Sequence, residues 1–265
     1  MATETKPTEP QTNQSVNTAI VTGASAGIGE EFARQLKKQG YNVVIVARRK
    51  DRLERLASEI GGAEIIEADL SKPEGVAAVI KRIDDYDVTM LVNNAGFGIN
   101  GVFGEVPVER ELEELDLNIR ALTHLTHAAL QQMKTRKNGT IINVASTGAF
   151  QPVPYMSTYA ATKAYVLSFS EGVHEEAKKY GVTVTCLCPG GTRTEFQQVA
   201  GVNEASLPRG SFMMPGPVVK AALDGARKGR GIVVPGMINK TTANLNRVLP
   251  RSSVRKIAGR MFKKD

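Results

Sequence analysis

The 265-residue chain has only two cysteines and no apolar run approaching the ~18 residues that a bilayer-spanning helix needs. A transmembrane segment is therefore excluded. Cys186 and Cys188 fall in an alternating apolar run, so both side chains leave the same face of one strand, in poor geometry for a disulfide. Buried, reduced thiols are expected, which suits a cytoplasmic protein. Residues 1–16 are polar, rich in Thr, Gln and Pro, and lack the apolar stretch of a secretory signal. They are expected to form a disordered leader. Acidic and basic residues are balanced over most of the chain. The net charge of +7 equals the excess of residues 239–265, which hold eight basic residues and one acidic residue. A body without a charge excess argues against nucleic-acid binding.

What is present is the composition of an ordinary globular α/β protein, 42% hydrophobic and 23% charged. Seven short apolar runs are predicted strands: Ala19–Val21, Val43–Val46, Glu64–Ala68, Val88–Val92, Thr140–Val144, Val182–Leu187 and Ile232–Val234. Intervening segments are long enough for crossover helices, and the second and fourth runs are apolar on both faces, as buried parallel strands are. The predicted fold is a doubly wound Rossmann α/β unit, with a seven-stranded, mostly parallel sheet and helices on both faces. One catalytic domain is expected over residues 17–238, with a substrate loop at about 194–217, followed by a basic tail over 239–265. In that tail Val254, Ile257, Ala258, Met261 and Phe262 recur at helical spacing among Arg and Lys, a basic amphipathic pattern. Such a stripe either packs on the protein, covering the substrate pocket or meeting a partner subunit, or lies peripherally on an anionic membrane surface.

The first strand runs into Thr22-Gly23-Ala24-Ser25-Ala26-Gly27-Ile28-Gly29, then an amphipathic helix containing Phe32 and Leu36. Glycines at 23, 27 and 29 allow a sharp turn and close backbone approach to a pyrophosphate at the helix N-terminus, with Ser25 in the loop. The second strand ends at Ala47-Arg48-Arg49-Lys50. No carboxylate is there to select a ribose 2′-hydroxyl, and Arg48 and Arg49 suit a 2′-phosphate, so NADP(H) is the expected cofactor, with Arg48 the leading candidate. Tyr159 and Lys163 lie four apart in a predicted helix over Ser157–Lys179, on one face. A neighbouring ammonium stabilises a phenolate and is expected to bring the tyrosine nearer its working range as an acid–base group. Ser146, just after the fifth strand, is placed to hydrogen-bond a substrate oxygen.

In order along the chain, TGASAGIG at 22–29, NNAG at 93–96, Asn118, Ser146, YAATK at 159–163 and CPGGTRTEF at 188–196 resemble the classical short-chain dehydrogenase/reductase family. The resemblance spans about Thr18 to Pro235. It implies a catalytic tetrad of Asn118, Ser146, Tyr159 and Lys163, with Lys163 also holding the nicotinamide ribose and Asn118 organising a water beside it. It further places Ile28, Asp69 (on the adenine), Leu70, Asn94, Ala95, Gly96, Pro189, Gly190, Thr192 (on the carboxamide) and Thr194 at the cofactor. Asn93 serves the central sheet, the cofactor turn, or both. Gly191 departs from the family pattern and leaves the local loop geometry open. The family pairs its subunits through the predicted long helix Pro107–Lys134 and the Tyr159 helix, so a homodimer or homotetramer is implied. On the long helix, Leu115, Ile119, Leu122 and Met133 form one stripe and Leu117, Leu125 and Ala128 another.

Residues expected at the substrate are Phe97, Ser146, Phe150, Met156, Tyr159 and Phe196, with the run Phe212-Met213-Met214 nearby. A largely apolar pocket with one polar end suits a ketone, aldehyde or secondary alcohol on a hydrophobic body. The expected activity is NADP(H)-dependent oxidoreduction by hydride transfer, carbonyl reductase-like, with Tyr159 as acid–base. Its alternatives are a 3-ketoacyl thioester reductase and, from another class, a non-catalytic nucleotide-sensing protein. No metal site is expected, because His124, His127 and His174 lack a convergent third ligand.

Overall fold

The computed structural model describes residues 17–202, 212–245 and 249–263. The expected leader lies outside them, as does the middle of the expected substrate loop. Seven strands appear where the apolar runs place them: β1 (Thr18–Thr22), β2 (Asn42–Ala47), β3 (Glu64–Glu67), β4 (Val88–Asn93), β5 (Gly139–Val144), β6 (Val182–Leu187) and β7 (Ile232–Val233). Their order is β3-β2-β1-β4-β5-β6-β7, and every pairing is parallel. The order reverses between β1 and β4, where neighbouring crossovers leave on opposite faces and open a crevice at the strands' carboxyl ends.

Helices α1 (Gly27–Lys38), α2 (Lys50–Glu59), α3 (Pro73–Asp85), α4 (Val108–Leu115), α5 (Leu122–Arg136), α6 (Ser157–Lys178), α7 (Phe196–Ala200), α8 (Pro215–Arg227), α9 (Met237–Leu245) and α10 (Arg251–Phe262) follow or link the strands. One apolar cluster lies between the sheet and α1, α2 and α8, centred on Phe32, Leu36, Ile45 and Val219. A second lies on the opposite face, where Val79, Ile83, Leu125 and Met133 of α3 and α5 meet Ile20, Leu91 and Ile141.

Three expectations are corrected. The long helix expected over 107–134 runs without a gap over 108–136, but its middle is not regular α-helix: a π-helical stretch, Asp116–Ala121, joins α4 to α5. The wider turn carries Asn118, fully buried and tethered to a neighbouring loop, and nothing in the local sequence breaks the α-helical pattern. The two proposed stripes do not separate, because α5 is covered by both the sheet and α3: Leu122, Leu125 and Met133 are all buried. Apolar exposure is confined instead to Val108, Leu112 and Leu115 on α4. Pro215 and Pro217, expected in the loop, start α8, where proline's fixed φ suits the first helical turn.

A buried polar ladder crosses the middle of the second face. Asn93 Nδ2 on β4 donates to Asn143 Oδ1 on β5 (2.9 Å) and to Thr126 Oγ1 on α5 (3.0 Å), and Asn143 Nδ2 donates to Ser170 Oγ on α6 (3.0 Å). Asn143→Ala is expected to cost at least about 2 kcal/mol, because it leaves Asn93 and Ser170 buried without their partner. Urea unfolding measures this; a change under about 0.5 kcal/mol would show that the ladder contributes little.

Candidate active site

The crevice is built from crowded backbone. Gly23 at φ +66° turns the chain out of β1, and a Cβ on Gly29 would lie 2.3 Å from the Gly23 carbonyl oxygen, so only glycine fits. Asn94 Nδ2 donates to the carbonyls of Thr22 (2.9 Å) and Gly23 (3.2 Å), while Thr22 Oγ1 accepts from the amides of Asn94 and Ala95, both at 3.0 Å. These bonds fasten the glycine loop to the NNAG turn. The N-terminus of α1, which begins inside this loop at Gly27, has no side-chain cap. A narrow backbone cradle under an uncapped helix start fits a dinucleotide pyrophosphate.

At the basic end, Arg49 lies against the loop: its Nε and Nη2 donate to Ser25 Oγ at 3.1 and 3.0 Å, and its Nη1 pairs with Glu195 at 2.8 Å. Arg52 holds the other oxygen of Glu195 at 2.5 Å, and the two guanidinium groups keep that carboxyl well below its usual range. Arg48 turns the other way, 3.8 Å from Asp69 and 3.6 Å from Glu113. Asp69 closes its own turn, accepting from the Ser71 amide and hydroxyl; against the desolvation that would raise it, these bonds and Arg48 hold it low. Leu70 is buried beside it. Sequence reasoning missed Arg52 and Glu195; the i, i+3 spacing of Arg49 and Arg52 was the available signal.

Ser146 follows β5 and accepts the Gly148 amide at 3.1 Å as it caps the short helix Thr147–Phe150. Thr147 N donates to Pro189 O (2.8 Å), joining this turn to the one after β6. Tyr159 and Lys163 project from the first turns of α6, and Lys163 Nζ donates to Val144 O (2.9 Å) while lying 5.7 Å from the Tyr159 ring centre. Desolvation pushes the phenol up to about 12, opposed by the neighbouring Ser146 hydroxyl. The expected drop toward neutrality is not seen in the protein alone, since Lys163 faces the β5 carbonyl. Lys163 itself is lowered to about 8, chiefly by desolvation. Asn118 spends its amide on Phe97, donating to its carbonyl (2.9 Å) and accepting from its N–H (3.2 Å), with Thr162 Oγ1 at 3.1 Å.

An apolar wall adjoins Tyr159. Val153, Met156, Ala160 and Ala200 form its buried part, with Phe196, Val202 and Phe262 packed on them; the Tyr159 and Phe196 rings are 5.2 Å apart. The structure brings Met156 and Phe196 here, as expected, and adds Val153, Val202 and Phe262. It places Phe150 in a different cluster, with Leu122 and Cys186, and Met213 against the core of the α1 face. Phe97 lies under the Arg110 guanidinium. Gly98 went unnoticed in the sequence: a Cβ there would sit 2.7 Å from Tyr159 Cδ2, so this glycine lets the loop pass over the tyrosine. Thr194 packs on Gly27, and Thr192, 5% exposed, is linked to Met213. Gly191 lies against Phe212, and Asn239 of α9 fills the space over Gly190. His174 Nδ1 is bonded to the Val184 carbonyl, and no cluster of three potential metal ligands occurs among the described residues.

The α10 helix reaches the same wall. Val254 and Ala258 are buried, Asn100 Nδ2 donates to Phe262 O (2.9 Å), and Gly259 lies against Pro154. Ile257, expected on the buried stripe, is 54% exposed, because the contact covers only one edge of the helix. Arg251, Arg255, Lys256, Arg260 and Lys263 face solvent. No described helix is long and apolar enough to cross a membrane.

The family whose description is short chain dehydrogenase matches residues 17–205. The chain belongs to that family. This short-chain dehydrogenase is 33% identical to the short-chain dehydrogenase from Sphingobium yanoikuyae solved in complex with NADPH, with a TM-score of 0.79 over 89% of this chain and 98% of that one. It is 31% identical to the bulky-bulky ketone specific alcohol dehydrogenase from Comamonas testosteroni, with a TM-score of 0.77 over 91% and 94% of the two chains. Against the very-long-chain 3-oxoacyl-CoA reductase of Anas platyrhynchos it is 32% identical over 192 residues, 69% of this chain and 62% of that protein. The short-chain dehydrogenase is thus an oxidoreductase acting on CH–OH groups with a nicotinamide cofactor.

Proposed function

We propose that this short-chain dehydrogenase reduces the carbonyl of a hydrophobic ketone or aldehyde with NADPH, and in reverse oxidises the secondary or primary alcohol. The observation that carries the reading is the placement of Ser146, Tyr159 and Lys163 between the glycine cradle and the apolar wall of Met156, Phe196 and Phe262. When bound, the nicotinamide supplies or accepts the hydride. Gly23, Gly27, Ile28 and Gly29 hold the pyrophosphate with backbone amides, Asn94 to Gly96 line the turn, and Pro189, Gly190, Thr192 and Thr194 cover the nicotinamide end. Leu70 and Asp69 flank the adenine end, where the turn bonded to Ser71 fixes their position.

Ser146 holds the substrate oxygen, and Tyr159 donates its proton to that oxygen as negative charge develops on it. Burial keeps the phenol protonated at neutral pH, the form that donates to a carbonyl oxygen. Lys163 returns the proton and lowers the cost of the phenolate. Asn118 fixes the loop carbonyl of Phe97, and through it the floor of the site. The apolar wall takes the hydrophobic body of the substrate. Reduction of a 3-ketoacyl thioester is the second reading, favoured by the 32% identity to the 3-oxoacyl-CoA reductase.

NADP(H) preference rests on the absence of a carboxylate at the end of β2 and on Arg48 and Arg49 beside Asp69 and Ser25. The α10 stripe, spent on the cleft wall, supports the tail as a cover for the substrate rather than as a membrane anchor.

Tyr159→Phe is expected to keep cofactor affinity and lose at least ~100-fold in turnover, measured with a panel of ketones, aldehydes and acyl thioesters. Near-wild-type turnover would reject Tyr159 as the acid. Arg48→Asp is expected to weaken NADPH far more than NADH by placing an anion near the 2′-phosphate; an unchanged ratio of dissociation constants would remove Arg48 as the discriminator. A chain shortened at Leu249 is expected to melt at lower temperature, and the full chain to bind anionic vesicles no better than the shortened one. Salt-sensitive vesicle binding by the full chain alone would instead favour the membrane surface.

A further inference from the structure

Arg49 spends its charge on a partner that underuses it. Its side-on edge, Nε and Nη2, donates twice to one hydroxyl oxygen, Ser25 Oγ, at 3.1 and 3.0 Å. A guanidinium fork matches two oxygens of one anion, so a single neutral oxygen leaves its capacity unfilled. Ser25 belongs to the glycine loop between β1 and α1, so the fork stands at the rim of the cofactor cradle. Arg48, the other arginine at the end of β2, is turned away to Asp69 and Glu113.

Behind the fork stands Glu195. Its Oε2 accepts from Arg49 Nη1 at 2.8 Å and its Oε1 from Arg52 Nη1 at 2.5 Å. Gripped by Ser25 on one edge and by Glu195 on another, the guanidinium plane of Arg49 cannot turn without breaking three bonds. Glu195, Arg52 and Ser25 line one cavity of about 530 Å³, with Arg193 at its wall. Glu195 also belongs to the substrate side. It immediately precedes α7, whose first residue, Phe196, lies 5.2 Å from Tyr159 between ring centres. Thr194 packs on Gly27 and accepts the Phe196 amide at 3.2 Å, and Gln197 Nε2 donates to Thr192 O at 3.0 Å. Residues 194–196 thus touch the glycine loop, the arginines and the catalytic tyrosine in succession.

We propose that Glu195 is a positioning residue that holds the Arg49 fork ready for the 2′-phosphate of NADPH and couples that phosphate to the substrate wall at Phe196. This rests on the NADPH preference proposed above. A phosphate that fills the fork meets an arginine already oriented, which spares the cost of ordering a long side chain. Coupling between sites is reciprocal, so a cofactor that fastens Arg49 also fastens Glu195 and Phe196, and one without the 2′-phosphate does not. Coulomb's law alone gives the opposite expectation for removing Glu195, because losing a carboxylate near a phosphate tightens binding. The direction of the change therefore separates orientation from charge.

The nucleotides 2′,5′-ADP and 5′-AMP differ only by the 2′-phosphate and probe this end of the site without turnover. By calorimetry the wild type is expected to bind 2′,5′-ADP more tightly. Glu195→Ala is expected to weaken 2′,5′-ADP at least ~5-fold and to leave 5′-AMP within about twofold. Glu195→Gln is expected to fall between, since its amide oxygen still accepts from one arginine. Unchanged or tighter binding of 2′,5′-ADP by Glu195→Ala would overturn the proposal, as would equal weakening of both nucleotides, which marks general damage to the loop. The chain has no tryptophan, so Phe196→Trp supplies a single fluorophore beside Tyr159. Its emission is expected to shift with 2′,5′-ADP and not with 5′-AMP, and to lose that response when Glu195→Ala is added. The same response to both nucleotides, or to neither, would overturn the coupling. Equal affinity of the wild type for the two nucleotides would strike the NADPH preference instead.

Discussion

The Asn93–Asn143–Ser170 ladder is the interaction on which the geometry of the site depends. Parallel strands specify their register only loosely when both faces are apolar, because a slip exchanges one Val or Ile for another. Side-chain amides at the core have no such freedom: displaced, they lose their partners in a medium where each unmade bond costs about 1–3 kcal/mol. The ladder therefore fixes β4 against β5, and its Thr126 and Ser170 arms fix α5 and α6 on the sheet. Asn118 enters just before α5, and Tyr159 and Lys163 sit at the start of α6. Both helices thus deliver their functional ends to the carboxyl edge of the sheet at a defined height.

At that edge the design is one of exclusion. Gly29 and Gly98 sit where any side chain would collide, the first with the β1 turn and the second with the tyrosine ring. The same close packing desolvates the phenol, the ammonium and the Glu114 carboxyl together. Desolvation pushes each of them toward its neutral form.

Much of this was legible in the sequence, for stated physical reasons. Buried parallel strands leave unbroken Val/Ile runs, and a backbone cradle leaves glycines at fixed spacing, so the seven strands and the loop at 22–29 could be read directly. Lys163 and Tyr159 share a face because helical periodicity requires it. What escaped reading depended on tertiary context. The π turn at Asn118 is set by bonds to Phe97 and Thr162, and local propensity favours an uninterrupted helix there. Arg49, not Arg48, lies against Ser25, a choice made by Glu195 from a loop 146 residues away. Phe150 points to another cluster because the short helix after Ser146 turns it, and Glu114 looks like a surface glutamate among other acids until its burial is seen.

In the proposed reaction a hydride passes directly between the cofactor held by the glycine cradle and a carbonyl held at Ser146 and Tyr159. Reduction of a bulky ketone with NADPH carrying deuterium in one or the other C4 position, followed by mass spectrometry of the alcohol, tests it most directly. One deuterium is expected at the carbinol carbon from one of the two labelled forms and none from the other, with solvent deuterium found only on the exchangeable hydroxyl. Deuterium at that carbon derived from heavy water, or equal transfer from both labelled forms, would contradict it.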